Sequence, residues 1–332
     1  MTVFLFLMSL GVVAFSQLGP LWPNGEEERT PLLDLDSVNS SYLVELPPVG
    51  EAIRSFEERV RRTPGDFISY TILGQLHIRQ ARETGDVANY ERAEVALRKA
   101  LELLPDYSPA EAYLSSALYS QHSFSQALEL AQRVYERDPK SIQALGTIGD
   151  AHLALGDYRE ARDAYRKLLR NGPAPPVLAR LSRLKELEGN TEQSLQLMQR
   201  AADEALDSGG SRESMAWYLL RLGDLYFNAG RIDESAEHYE AALRVFDDYH
   251  LALAGLGRAR AAQGRYDEAV DLYERVVAVI PQPVTLAVLG DLYAKTGDRA
   301  QAQLQYDTVE FIAKLATINE QVYNRTLVLF YA

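Results

Sequence analysis

The chain has no cysteine anywhere in its 332 residues. That excludes disulfides, thiolate nucleophiles, cysteine-ligated zinc and a lipid-modified N-terminal cysteine, and leaves a fold that must hold together by packing alone. Positive charge is also short: 34 Lys and Arg stand against 47 Asp and Glu, a formal net charge of −13. Such a chain repels the phosphate backbone that supplies most nucleic-acid affinity, so nucleic acid is excluded as the expected partner. No phosphate-binding glycine loop and no glycine-flanked nucleophilic serine occurs, and Gly255-Leu256-Gly257 lies in a helical pattern without the preceding strand of a dinucleotide site. The five histidines show no i, i+3 or i, i+4 pairing, the spacing of a helical metal site, so no metal or other cofactor is expected. The Asp residues following Gly149, Gly223 and Gly290 lack any nearby paired acid or base in sequence, and catalysis is not expected from them; they read as solvated or partner-contacting groups.

Charge is missing altogether from the first 25 residues, where residues 3–15 (VFLFLMSLGVVAF) form a nearly pure apolar run. Residues 1–22 fit either a secretory signal, with small residues at Ala14 and Ser16, or an uncleaved membrane anchor if the run is extended to Trp22. Both readings place the remainder outside the cytoplasm, secreted, periplasmic or membrane-anchored, because the acidic Glu26-Glu27-Glu28 follows the run. Residues 23–49 have no helical period, and four prolines fall among residues 23–48, as in a spacer.

What is present is a repeat of about 34 residues. Gly149, Gly223, Gly257 and Gly290 each follow an aliphatic residue; a small residue comes about twelve positions later (Ala161, Ser235, Ala269, Ala302), and four residues beyond it a tyrosine (Tyr165, Tyr239, Tyr273, Tyr306). Three- and four-residue spacing puts Leu145, Ile148, Gly149 and His152 on one face of a first helix, and Ala161, Tyr165 and Leu168 on one face of a second. Small residues let the two helices cross closely and the tyrosine fills the space beside them. Seven helix-turn-helix units begin near Phe67, Ser108, Ile142, Pro175, Ala216, His250 and Pro283.

These residues resemble the tetratricopeptide repeat, whose signature is carried by Tyr70, Leu73-Gly74, His77, Ala93, Leu97, Ala100 and Pro105 in the first unit and by Leu219, Leu222-Gly223, Tyr226, Ser235, Tyr239 and Ala242 in the fifth. The resemblance covers about three quarters of the chain. It implies an all-α, right-handed α-solenoid of about seven hairpins over residues 65–316, with a capping helix over 50–64 and a C-terminal helix over 317–332 that opens a truncated further unit of the kind found in longer bacterial arrays. Two departures read as loop insertions: extra residues around Gly85-Asp86 in the first unit, and Asp207-Ser208-Gly209-Gly210-Ser211 between the fourth and fifth. The second and fourth units, with Ser115 and Ser182 in place of glycine, read as soft places in the stack.

The resemblance further implies that first helices line a groove for a protein or peptide. Positions not used for packing there are Tyr119, Asp150, Arg183, Arg221, Asp224, Phe227, Arg258 and Asp291, whose alternating charge suits a segment bearing both signs. The lysine and asparagine pattern that clamps a terminal carboxylate in some members of the family is missing. The expected function is a non-catalytic protein-binding scaffold. The alternatives are a structural module of a larger multidomain protein or assembly, or an extracytoplasmic glycan or cell-wall binder using Trp217 and Tyr218 as exposed aromatics.

Overall fold

The computed structural model describes residues 48–318, with side-chain exposure through Leu315. The apolar run and most of the spacer lie outside the described residues, as does the C-terminal stretch from residue 319. Among the described residues there are fifteen helices and no strand. α1 (Val49–Arg62) stands first and alone, and seven helical hairpins follow it. They are α2 (Phe67–Thr84) with α3 (Ala88–Leu103), α4 (Ser108–Ser120) with α5 (Phe124–Arg137), α6 (Ile142–Leu155) with α7 (Tyr158–Leu169), and α8 (Pro175–Leu187) with α9 (Thr191–Ser208). The last three are α10 (Arg212–Asn228) with α11 (Ile232–Val245), α12 (His250–Ala262) with α13 (Tyr266–Val279), and α14 (Pro283–Thr296) with α15 (Arg299–Ile318). Each helix packs on the one before and the one after it in sequence, and first helices also meet across hairpins, α2 on α4, α4 on α6 and α10 on α12. The fold is an all-helical α-solenoid.

Local chemistry sets the helix ends. Asp66 caps α2 by accepting from the Ser69 amide at 3.0 Å and the Ser69 hydroxyl at 2.7 Å, bonds that hold its carboxyl below the usual range. Pro175 and Pro283 start α8 and α14 at a position where a missing N–H costs nothing. Gly156 ends α6 in the left-handed region at φ 89°, a conformation most side chains resist.

Packing follows the size pattern. A Cβ placed on Gly149 would lie 2.4 Å from Tyr165, one on Gly223 2.7 Å from Tyr239, one on Gly257 2.8 Å from Tyr273 and one on Gly290 2.5 Å from Tyr306. The tyrosine ring therefore rests directly on the glycine of its own hairpin, and only hydrogen leaves room for it. Where the sequence has serine instead, both hydroxyls are buried and bonded: Ser115 donates to the Ala112 carbonyl at 2.7 Å, and Ser182 meets the Ser194 carbonyl at 2.8 Å.

Several boundaries differ from the sequence reading. The residues expected to form a loop in the first unit lengthen α2 to 18 residues instead, leaving only residues 85–87 between α2 and α3. Those added turns are good helix formers, Arg79 pairs with Glu83 at 2.6 Å, and Ala81 is buried. The second expected loop shrinks likewise, because α9 continues to Ser208 and α10 starts at Arg212, a turn before Ala216, with Ser211 accepting from the Ser214 amide at 3.2 Å. α1 begins at Val49, which is buried, rather than at residue 50, and α15 runs on through Ile318, so residues 317 and 318 belong to it.

The lengthened α2 has a structural consequence. Its last turn reaches the fifth and sixth hairpins: Arg82 Nε lies 3.5 Å from Glu213 Oε1 at the start of α10, and Gly85 sits so near His250 that a Cβ there would be 2.8 Å from its Nε2. The Glu213 side chain is 3% exposed and its Oε2 has no hydrogen-bond partner. Burial pushes its carboxyl above the usual range, with the nearby Arg82 opposing.

Candidate protein-binding surface

The first helices carry all eight positions expected to face a partner: Tyr119 on α4, Asp150 on α6, Arg183 on α8, Arg221, Asp224 and Phe227 on α10, Arg258 on α12 and Asp291 on α14. The side chains do not project independently. They sort into one large cluster and two smaller groups.

Asp224 is the hub of the large cluster. Its Oδ2 accepts from Arg221 Nη1 at 2.7 Å, and its Oδ1 accepts from the Tyr239 hydroxyl at 2.7 Å and from Arg258 Nη2 at 3.0 Å. Arg258 also donates to the Tyr239 hydroxyl at 2.9 Å, and its guanidinium lies over the Phe227 ring, 4.2 Å from the centroid. Toward α8 the chain of contacts continues through Glu186, which accepts from Arg183 at 2.6 Å, lies 3.9 Å from Arg221, and accepts from the Asn228 amide at 3.3 Å. Five of the eight residues, Arg183, Arg221, Asp224, Phe227 and Arg258, thus form one strip across α8, α10 and α12.

Asp150 anchors a second group. Tyr165 donates its hydroxyl to Asp150 Oδ1 at 2.9 Å, and Arg180 binds both carboxylate oxygens, with Nε at 2.9 Å from Oδ1 and Nη2 at 2.7 Å from Oδ2. Tyr119 is half-buried beside this group and rests against Phe124 with ring centroids 5.4 Å apart. Asp291 stands apart on α14, accepting from Tyr306 at 2.7 Å.

A rule connects the three carboxylates. Each aspartate directly follows the packing glycine and accepts from the tyrosine 15 residues later in its own hairpin. Two of them also accept from an arginine on the first helix of the next hairpin, Asp150 from Arg180 and Asp224 from Arg258. In the sixth hairpin Arg258 itself occupies the aspartate position, so Tyr273 there has a guanidinium nearby in place of a carboxylate. Burial and then the adjacent Asp224 carboxylate raise the Tyr239 phenol well above its ordinary range, and the same causes act on Tyr165 through Asp150. Burial first, and then the hydrogen bond to Asp291, push Tyr306 up to about 12.

Sequence reasoning did not assign these tyrosine hydroxyls, nor Arg180, Glu186 and Asn228. The fixed spacing from Gly-Asp to tyrosine was a readable signal for the first; no local pattern marks the others, because they act across hairpins. The aspartates expected to be solvated or to wait for a partner are already bonded within the molecule. Trp217 and Tyr218, expected as exposed aromatics, are not a free platform: Tyr218 is 5% exposed and Trp217 is half-buried, edge-on to it at 5.1 Å. That removes the sequence basis for a glycan binder. Among the described residues no group of three or more acidic or histidine side chains is placed to hold a metal, and no helix is long and apolar enough to cross a membrane.

Comparison with known proteins gives the same architecture. Tetratricopeptide repeat family models match residues 120–173, 147–211 and 214–282. The anaphase-promoting complex subunit 7 of Arabidopsis thaliana is 25% identical over 236 residues, which cover 68% of this chain and 39% of that protein. A probable UDP-N-acetylglucosamine–peptide N-acetylglucosaminyltransferase SPINDLY of Hordeum vulgare is 25% identical over 183 residues, 55% of this chain but 19% of that protein. The chain therefore spans well under half of these curated relatives. Among solved structures, the Cut9–Hcn1 hetero-tetramer of the APC/C aligns with a TM-score of 0.56 at 16% identity, covering 74% of this chain and 50% of that one.

Proposed function

The chain is a tetratricopeptide repeat protein, and from that premise we propose that it is a non-catalytic scaffold that holds a protein segment against the α8–α10–α12 strip. The observation that carries this reading is the strip itself. Arg183 and Arg258 are exposed, while Arg221, Asp224 and Phe227 are half-buried, so cations, an acidic hub and an aromatic face are offered together on first helices. Because the internal bonds fix these groups in advance, little side-chain ordering remains to oppose binding. A segment carrying both signs exchanges onto them: its carboxylates meet Arg183 and Arg258, and its cation or amide competes for Glu186. The hydroxyl bonded to the hub, that of Tyr239, belongs to a buried phenol held in its protonated form by burial and Asp224, which supports a binding role over catalysis. The subunits of assemblies among the similar proteins favour the same reading, in which this chain would bring a protein partner to a larger complex.

Placement of the array outside the cytoplasm belongs to this proposal and rests on the uncharged residues 1–25. The binding reading is tested by introducing a photo-crosslinking side chain at Phe227 or Asn228, with Arg244 on the exposed side of α11 as control. A defined protein captured from Phe227 and Asn228 but not from Arg244, and lost when Arg183→Glu is added, is expected. Equal capture from all three positions would reject the strip. Arg183 is the better site for charge reversal than Arg258, since a glutamate at 258 would face Asp224 and disturb the hairpin packing.

A further inference from the structure

The helix α15 departs from the other second helices with a packing tyrosine, α7, α11 and α13, on the side that they turn to water. Two positions after the small packing residue, α7, α11 and α13 carry the exposed Asp163, Glu237 and Asp271, whereas α15 carries Leu304. Five positions after the packing tyrosine stand Arg170, directly after the end of α7, Arg244 on α11 and Ala278 on α13, and α15 carries Phe311. Leu304 is 55%, Phe311 59% and Leu315 43% exposed. Thr308, between them, donates its hydroxyl to the Leu304 carbonyl at 2.8 Å and so needs no outside partner. At 3.6 residues per turn, Leu304, Thr308, Phe311 and Leu315 fall within about 60° of one another, forming a single apolar ridge. Three large apolar side chains in water on one ridge, where α11 carries Glu237 and Arg244 and α3 carries Val95 and then Glu102, mark an interaction surface.

We propose that this ridge pairs with the same ridge of a second copy of the chain, antiparallel across a two-fold axis. The positions are self-complementary. Leu304 with Leu315, and Thr308 with Phe311, are both centred between Val309 and Glu310, so one two-fold sets Leu304 against Leu315 of the second copy and Thr308 against its Phe311. Charge complementarity follows from the same axis. The exposed Asp307 and Lys314 share one flank of the ridge, and the rotation leaves that flank on its own side, bringing Asp307 within about 3 Å along the helix axis of Lys314 of the second copy. The two ion pairs so formed fix the register, and the apolar ridge supplies the attraction. This surface is separate from the α8–α10–α12 strip, so a dimer would present two strips at once.

The absence of cysteine makes the test clean. The full chain carrying Leu304→Cys and Leu315→Cys together is expected to form a disulfide-linked dimer on mild oxidation, and the chain carrying Arg244→Cys is not. Replacing ridge residues by those of the sister helices, Leu304→Asp with Phe311→Arg, should weaken self-association at least about 30-fold in sedimentation experiments, with helical circular dichroism unchanged. Asp307→Lys alone and Lys314→Asp alone should each weaken it, and the two together should restore it, which keeps the proposal open to test even if the ridge variant folds poorly. A monomeric wild-type chain, or a dimer indifferent to the ridge and charge variants, would overturn the proposal. So would a monomer in which Leu304 and Phe311 are protected from hydroxyl-radical labelling, since residues 319–332 of the same chain would then be the cover.

Discussion

Replacing Gly223 by alanine tests the packing argument at its tightest point. The new methyl carbon would lie 2.7 Å from Tyr239 Cε1, 2.8 Å from its Cδ1 and 3.2 Å from the Ser235 carbonyl oxygen. The ring has nowhere to go. Gly255 of the next hairpin presses from another side, with a Cβ position 2.6 Å from Cε1, and the hydroxyl is tied to Asp224 at 2.7 Å and Arg258 at 2.9 Å. Overpacking of this kind costs about 1–3 kcal/mol. Against it stands the helix-propensity gain of about 1 kcal/mol for alanine over glycine in a helix interior. The expected net loss is about 1 kcal/mol, and Gly223→Leu should be worse. The assay is urea unfolding followed by circular dichroism and by Trp217 fluorescence in a Trp22→Phe background, since Trp217 lies on the same helix as Gly223. The local probe matters because repeat arrays do not always unfold in one step. In a Tyr239→Ala background the same Gly223→Ala change should become neutral or stabilising. If Gly223→Ala raises the midpoint in the wild-type chain, the glycine is not a crossing residue and the packing account fails.

Two further predictions concern buried charge. His238 is stacked on Tyr226 at 4.9 Å, and burial, aided by the nearby Arg231, pushes its pKa down to about 4 from an ordinary 6.5. Between those values the unfolded chain binds the extra proton, so stability present above pH 6.5 is lost as pH falls toward 4, by about 3 kcal/mol in full; His238→Phe should flatten that slope in urea midpoints measured from pH 7.5 to 4.5. Glu213 has the opposite sign: its carboxyl is raised by burial, so it favours the folded state at low pH and loses that contribution as pH rises through the raised value. Glu213→Gln should therefore stabilise the fold at pH 7.5 by on the order of 1 kcal/mol, read as a higher melting temperature, with the advantage shrinking at pH 4; a lower melting temperature at pH 7.5 would mean that the Arg82 pair outweighs the burial cost.

The sequence by itself determined the hairpins. Gly149, Gly223, Gly257 and Gly290, each with its tyrosine at a fixed distance, specify which helix faces meet, because the contact lies within one hairpin and its spacing is written in the chain. The helix starts at Pro175 and Pro283 were legible for the same reason, a local backbone preference. Tertiary structure alone decided what lay between hairpins. Nothing near Arg180 in sequence points to Asp150, 30 residues earlier, or near Asn228 to Glu186, 42 residues away. Nor could residues 80–84 show that they continue α2 rather than loop out, since a helix extended by one turn is worth forming only if it finds something to touch. Here it finds Glu213 and His250, on the fifth and sixth hairpins, which the chain brings back beside the first only after the hairpins between them have stacked. Local periodicity fixes contacts that repeat with the chain, whereas contacts between distant hairpins depend on the summed rotation of the stack, which no single repeat encodes.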